Sequence, residues 1–277
     1  MAIIEKTLDD IRNYITNNAG ADKYNKDKAL SALKLFECPQ VAQNSALQAV
    51  VGFSEDNTPL FWDMTKGNLL ATCFTGVGMN YMGSTTVLIS LILRFTSEEF
   101  KYYLLVDEYA PKYLRCDEHC AGNASAMYEN RENYFNCLEE LDKQLKYRAT
   151  FSADELGKLP FLLVVLGNPW RYFSDEDIKR FSGIFSLLLR EGKRLRVSCM
   201  LTTTRLEDEL IYHMNKDAFS DFVVGVISPE VAKELLGDDI SDWLANGHDY
   251  NKFIFKNRNM RVQMRSYHSV LGIGLYH

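Results

Sequence analysis

Residues 76–86 read GVGMNYMGSTT and lie between two apolar segments, NLLATCF (68–74) and VLISLIL (87–93). A strand, a glycine loop and a helix in this order are the setting of a phosphate-binding loop. Gly78 and Gly83 have the required four-residue gap, and Thr85 stands where the magnesium-binding hydroxyl belongs. Ser84, however, occupies the position of the lysine. The stretch predicts either a phosphate loop that lacks its charge or a glycine turn that binds no phosphate.

The missing lysine has a calculable consequence for nucleotide binding. Backbone N–H groups at a helix N-terminus attract a phosphate, and glycines let it approach closely. The lysine adds a charge-assisted bond of about 1.5–3 kcal/mol, so its loss weakens binding by about one to two decades. Hydrolysis suffers more, because the lysine also neutralises charge in the transition state.

Composition restricts the class of protein. The chain has 277 residues, of which 47% are hydrophobic and 25% charged, as in a soluble globular protein. The longest apolar runs are about seven residues, which is too short for a membrane span. Six cysteines without a signal peptide predict reduced thiols in the cytoplasm. The net charge of −6 argues against a broad nucleic-acid surface.

The start of the chain differs in pattern from the rest. Ile4, Leu8, Ile11 and Ile15 fall on one helical face, and a polar, glycine-containing stretch follows at 17–28. We therefore predict an N-terminal helix and linker over 1–30 and one domain over 31–277.

Strand and helix patterns alternate through the remaining chain. Residues 47–53 and 59–64 predict a hairpin. Further strands are predicted at 68–74, 101–108, 159–168, 195–204, 221–227, 252–256 and 260–267, and helices at 84–95, 134–145, 174–192 and 228–237. This order indicates an α/β fold whose mostly parallel sheet has helices on both faces.

Two strands could supply the carboxylates of a nucleotide site. KYYLLVDE (101–108) ends in Asp107 and Glu108 and looks like a Walker B strand, although two solvated acids at a strand end are the more common case. In RecA-like and FtsK-like proteins one strand separates the phosphate-loop strand from Walker B in space. By that order LPFLLVVLGN (159–168) is the better candidate, and it ends in Gly167 and Asn168.

The order of these segments resembles the FtsK/SpoIIIE motor domains of the HerA–FtsK branch of P-loop ATPases, including the ATPase repeats of type VII secretion motors. The resemblance covers roughly residues 46–256. It is carried by the hairpin, by GSTTVLISLILRFTSEEFKYYLLVD (83–107), by CLEELDKQLKY (137–147), by LLLREGKRLRVSCMLTTTR (187–205) and by SPEVAKELLG (228–237). It implies a three-layer P-loop NTPase-like fold.

The catalytic positions depart from that family together. Ser84 replaces the Walker A lysine, Gly167 and Asn168 replace the Walker B Asp-Glu pair, and Thr204 replaces the sensor glutamine. The resemblance therefore implies a degenerate ATPase with no intact catalytic residue. Weak binding of ATP and magnesium would use the residues that remain, which are Gly78, Gly83, Ser84, Thr85, Thr86 and Asp107, with Thr85 on the metal.

The same edge suggests a partner. Trp170 and Tyr172 follow the Walker B position, and aromatic side chains there could fill space that nucleotide has vacated. We expect a protein partner or a neighbouring motor domain, no membrane insertion, and a cytoplasmic protein that associates with a membrane only through a larger complex. DNA is the alternative partner, through the basic run 190–196. The functional alternatives are an active FtsK-type DNA translocase and a secretion-substrate docking module.

One cluster could hold a metal. Cys116, His119 and Cys120 lie close together in RCDEHC, with Cys137 further along the chain. Zinc needs four ligands in tetrahedral geometry, and no second ordered pair is present. Free thiols in a polar segment are the favoured interpretation.

Overall fold

A computed structural model describes residues 8–13, 16–17, 30–31, 33–73, 82–107, 110, 112–127, 129–168, 173–204, 206, 212–213, 215–225, 227–237 and 252–265. In these ranges the chain forms ten strands in a single sheet. The strands are β1 (Gln48–Phe53), β2 (Pro59–Asp63), β3 (Asn68–Thr72), β4 (Phe100–Leu105), β5 (Cys120–Asn123), β6 (Phe161–Gly167), β7 (Val197–Thr203), β8 (Phe219–Val224), β9 (Lys252–Lys256) and β10 (Arg261–Arg265).

The helices lie before β1 and in connections between the strands from β3 to β9. They are α1 (Pro39–Ala42), α2 (Leu88–Ile92), α3 (Lys112–Arg115), α4 (Arg131–Ala149), α5 (Ala153–Gly157), α6 (Asp175–Ser186) and α7 (Pro229–Leu236). Two of them adjoin π-helical turns, since Met82–Val87 leads into α2 and Leu187–Glu191 continues α6. No helix in the described ranges is long and apolar enough to cross a membrane.

The order of strands across the sheet is β2-β1-β10-β9-β8-β3-β7-β6-β4-β5. The strands from β8 to β5 are parallel to one another, whereas β9, β10, β1 and β2 add to the β8 side in antiparallel pairs. The strand β7 therefore lies between β3 and β6, which is the order that RecA-like and FtsK-like proteins have between the phosphate-loop strand and Walker B.

The two faces of the sheet are both covered. Along β6, Leu163 and Val165 belong to one buried cluster, while Leu162 and Val164 belong to the other. The first cluster includes α2 and the buried Leu8 near the start of the chain, and the second includes α4, α6 and α7. This alternation follows from the two-residue period of a strand. The mixed, mostly parallel sheet with helices on both faces is thus confirmed.

Local sequence chemistry explains the helix boundaries. Ser174 and Asp177 form a capping box at the start of α6, and Ser228 caps α7, which ends at Gly237 in the left-handed region (φ 81°). Gly192 follows the π-helical end of α6, and a Cβ atom there would lie 2.2 Å from the Leu188 carbonyl oxygen. These two helical segments therefore end close to the predicted ends at 192 and 237.

Two predicted segments differ from the structure. No strand is predicted between residues 108 and 134, but 120–123 forms β5 beside β4, and none of its four residues is fully buried. An edge strand of four residues without an apolar run gives no strand pattern. The helix predicted at 84–95 begins at Met82 and its first turns are π-helical.

Candidate functional site

The carboxyl ends of four parallel strands meet at one edge of the sheet. Register partners near this edge are Thr72 with Thr203, Gly167 with Thr202, and Leu105 with Leu166. The edge therefore collects the residues that follow β3, β7, β6 and β4. In open α/β sheets ligands bind outside the carboxyl ends of the strands, so this is the expected position of a site.

Asn168 is the central polar side chain of that edge. It is 6% exposed and its backbone lies in the left-handed region, with φ 42°. Its Nδ2 donates to Asp107 Oδ2 over 3.1 Å, and its Oδ1 accepts from the Thr204 amide over 2.9 Å. The amide orientation is fixed because only Oδ1 can accept from a backbone N–H. Both ends of this side chain are thus engaged in linking β6 to β4 and β7.

Asp107 is buried, with 1% exposure, and it lies beside Asn168. The interpretation of this acid as solvated is wrong, because the amide of the neighbouring strand end covers and hydrogen bonds the carboxylate. Glu108 lies outside the described residues. Since β7 and β6 separate β4 from β3, Asp107 is about 14 Å from the strand that leads into the glycine loop, at about 4.8 Å per strand.

The glycine loop is described only at its helical end. Gly83 and Ser84 belong to the π-helical Met82–Val87, and Gly78 lies outside the described residues. The side chains of Thr85 and Thr86 are 0% and 1% exposed. The hydroxyl assigned to magnesium is therefore inside the protein in this conformation.

The segment 169–172, with Trp170 and Tyr172, lies outside the described residues. The residues on both sides of it are fixed by contacts. Asn168 is hydrogen bonded as above, and the Phe173 ring packs against Tyr134 at 6.0 Å and Phe135 at 5.5 Å between centroids, both near-perpendicular. The partner-binding role of Trp170 and Tyr172 stays a prediction.

The cysteine and histidine cluster has other bonds. His119 Nδ1 faces Asp117 and Nε2 contacts the Phe95 carbonyl at 2.8 Å, so both ring nitrogens are engaged. Burial raises the pKa of the Cys120 thiol to about 12, and its Sγ donates to the Gly122 carbonyl at 3.5 Å. The cysteines are free, and no group of three or more potential metal ligands occurs in the described part of the chain.

The basic run lies at the opposite edge of the sheet from Asn168, where β7 begins. Arg190 donates to Asn215 Oδ1 at 3.1 Å. Arg194 pairs with Glu191 at 3.1 Å, and the side chains of Arg194 and Glu191 are both exposed. The run thus forms the turn that leads into β7, at the amino ends of the parallel strands and away from Asn168.

Arg148 is a buried charge that was not predicted from the sequence. Arg148 is 4% exposed and donates to the carbonyls of Pro160 (2.7 Å) and Leu195 (3.1 Å), so it ties α4 to the chain before β6 and β7. Burial lowers its pKa to about 10, and nearby Arg196 adds to the effect. The sequence does contain a pattern that indicates this burial, because residue 148 continues the helical spacing of the buried positions 134, 138, 141 and 145.

Comparison with known proteins supports the fold. No protein-family profile and no curated protein matches the chain, but solved structures do. The cytoplasmic domain of the Thermomonospora curvata type VII secretion ATPase EccC superposes with a TM-score of 0.60 at 17% identity, over 85% of this chain and 32% of that one. ATPases 2 and 3 of the same EccC, in complex with a signal sequence peptide, give 0.56 at 13% identity, over 81% and 41%.

A conjugation protein shows the same likeness. The pCW3 coupling protein TcpA, in monomer form with ATPγS, gives a TM-score of 0.54 at 16% identity, over 83% of this chain and 68% of that one. The chain has the fold of FtsK/SpoIIIE-type P-loop ATPase domains, and its structural neighbours include domains of type VII secretion motors. It spans about a third to two fifths of the length of the EccC structures.

Proposed function

We propose that this chain is a degenerate FtsK/SpoIIIE-type ATPase domain of a translocation motor, whose glycine-loop site binds ATP and magnesium weakly or not at all. It acts in the motor by assembly and partner binding. The observation that carries this proposal is the engagement of Asn168, whose amide links Asp107 and Thr204 at the position of the Walker B glutamate. An amide held in this way cannot accept a proton from water as a carboxylate can.

Two further features support weak nucleotide binding. Ser84 contributes no charge to the glycine loop, and the Thr85 hydroxyl is buried. Asp107, the remaining acid of the described edge, is bonded to Asn168 and is three strand positions from β3. We therefore assign Asp107 to holding the edge together in preference to holding magnesium.

A protein partner fits this edge better than duplex DNA. An EccC fragment of similar fold was solved with a signal sequence peptide, whereas this chain carries 31 basic and 37 acidic residues. Trp170 and Tyr172 belong to the segment between Asn168 and Phe173, and we propose that this segment contacts a peptide or a neighbouring motor domain. Such a domain would work in the cytoplasm, as the EccC domain does.

The test is calorimetric titration with an ATP analogue and magnesium. Because a lysine in the loop adds a charge-assisted bond, Ser84→Lys should tighten binding by about ten- to a hundredfold. Thr150→Lys adds the same charge at the exposed end of α4 and should leave binding unchanged. An unimproved Ser84→Lys variant would mean that the loop is not a phosphate site.

Catalysis is tested by measuring steady-state ATP hydrolysis with the same protein samples. We expect no ATP turnover above background, because Gly167 and Asn168 offer no carboxylate. Turnover that Thr85→Ala abolishes would overturn the proposal and favour an active translocase.

A further inference from the structure

A recess of about 700 Å³ lies at the amino edge of the parallel sheet, where β3, β7 and β8 begin. Asn168 lies at the other end of the parallel strands, after the carboxyl end of β6. Four separate segments bring cationic side chains to its wall, and these are Lys66, Arg190, Lys193, Lys216 and Arg258. Asp217 is the one carboxylate among the lining residues in the described part of the chain.

Neighbouring acids compensate this charge only in part. Lys66 pairs with Asp63 at 2.8 Å, and Lys216 pairs with Glu234. Lys193 and Arg258 have no ion pair within the described ranges, and Arg258 lies where it still interacts electrostatically with Asp221. The wall of the recess therefore keeps an excess of positive charge in a chain whose net charge is −6.

The floor of the recess is ordered and partly apolar. Met64, Leu189 and Val197 line it and are buried in the body of the domain. Asn68 also lines the recess, with its Nδ2 donating to the carbonyls of Leu189 (3.0 Å) and Ala218 (2.9 Å) and its Oδ1 accepting from the Cys199 amide. The hydrogen bonds of Asn68 fix the three strand starts relative to one another, so the recess is a formed cavity.

We propose that this amino-edge recess binds a small molecule that carries several phosphate groups. Its volume is in the range of small-ligand sites. Guanidinium groups suit phosphate oxygens, and several cations around one cavity favour a multivalent anion, since a single charge gains little against water. The apolar part of the floor suits an organic group beside the phosphates.

The volume of the recess and the net charge of the chain both favour a small ligand over a DNA duplex. A recess of this volume admits a small ligand, whereas duplex DNA needs an extended basic surface to follow its backbone. Acidic side chains outnumber basic ones in the whole chain, which opposes a long polyanion more than a short one.

The proposal is tested by calorimetry on the full chain at physiological salt, with inorganic tripolyphosphate and magnesium-free ATP as probes and a short DNA duplex as comparison. Replacing the two unpaired cations in the variant Lys193→Ala/Arg258→Ala should weaken binding of the probes by at least about tenfold. The control Lys143→Ala/Lys179→Ala removes two exposed lysines of α4 and α6 and should change nothing.

A second variant separates this recess from the glycine loop. Ser84→Glu places a carboxylate in the loop, so probe binding that survives it supports the recess and binding that it abolishes overturns the proposal. Tighter binding of ATP than of tripolyphosphate would identify an organic phosphate, and equal binding would identify the phosphate chain alone. Failure of both probes to bind, or binding of the duplex alone, would also overturn it.

Discussion

The position of Asn168 combines a side chain with two hydrogen bonds and a backbone that L-residues rarely adopt. A φ of 42° costs most residues with a Cβ atom about 1 kcal/mol, and Asn tolerates it better because its short polar side chain bonds locally. The residue therefore suits this turn for two separable reasons, and mutation can measure each of them.

We expect Asn168→Gly to lower the free energy of unfolding by about 1–3 kcal/mol, because buried partners lose their hydrogen bonds while the backbone stays relaxed. Asn168→Ala should cost about 1 kcal/mol more, because it adds the strain. Chemical denaturation measures both values.

The matched control for this pair is Asn57, which has φ 62° in the exposed β1–β2 turn. Asn57→Ala and Asn57→Gly should differ by the backbone cost alone. Wild-type stability in Asn168→Gly would show that the link between Asp107 and Thr204 contributes nothing.

His119 predicts a dependence of stability on pH. Burial lowers its pKa, but the hydrogen bond and charge of Asp117, with the Phe95 carbonyl, outweigh burial and raise the pKa above its usual value. The folded state then holds the proton more tightly than the unfolded state. This stabilisation is complete below the unfolded pKa near 6.5 and is lost as pH rises through the folded pKa.

Denaturation at several pH values should show this contribution in the wild type. Asp117→Asn removes the charge that raises the pKa, so the decline in stability above about pH 6.5 should become shallower. A profile that runs parallel to that of the wild type would contradict the assignment.

At the scale of elements, the helix α6 begins directly after the segment that carries Trp170 and Tyr172. Its capping box joins Ser174 and Asp177, and Asp177 also pairs with Arg131 of α4. Next to this helix start, the Phe173 ring packs against the Phe135 ring of α4. The cap therefore holds one end of the proposed partner-binding segment.

We expect Ser174→Ala to destabilise the protein by about 1 kcal/mol, because one helix-end N–H loses its acceptor. Ser182→Ala makes the same change in the middle of α6 and should be neutral or slightly stabilising, since Ala favours helices. Equal thermal midpoints for the two variants would show that the cap is dispensable.

Elements with strong periodicity were predictable from the sequence, and bonds between distant elements were not. The run FLLVVLG gave β6, and the spacing of Tyr134 and Leu138 gave the buried face of α4. The burial of Asp107 depends on Asn168, which is on another strand, and no local pattern marks such a pair. The recess is assembled from segments as distant in the sequence as Lys66 and Arg258, and among them only the basic run 190–196 forms a recognisable sequence pattern.

At the scale of the whole molecule, a weak nucleotide site should affect the assembly of the chain into rings. Ligand that binds an assembled state stabilises that state by mass action. With a weak nucleotide site this linkage is small. We predict that the isolated chain does not form stable rings. Light scattering that shows a hexamer without nucleotide or partner would contradict this.

The hairpin β1–β2 has a neighbour from the far end of the described chain, since Phe53 is in register with Arg265 of β10. During synthesis on the ribosome, the hairpin emerges long before β10 exists. One backbone edge of β1 is unpaired for that whole interval, and unpaired edges invite pairing with other chains. We therefore expect nascent chains that stop before β10 to aggregate more readily than the full chain.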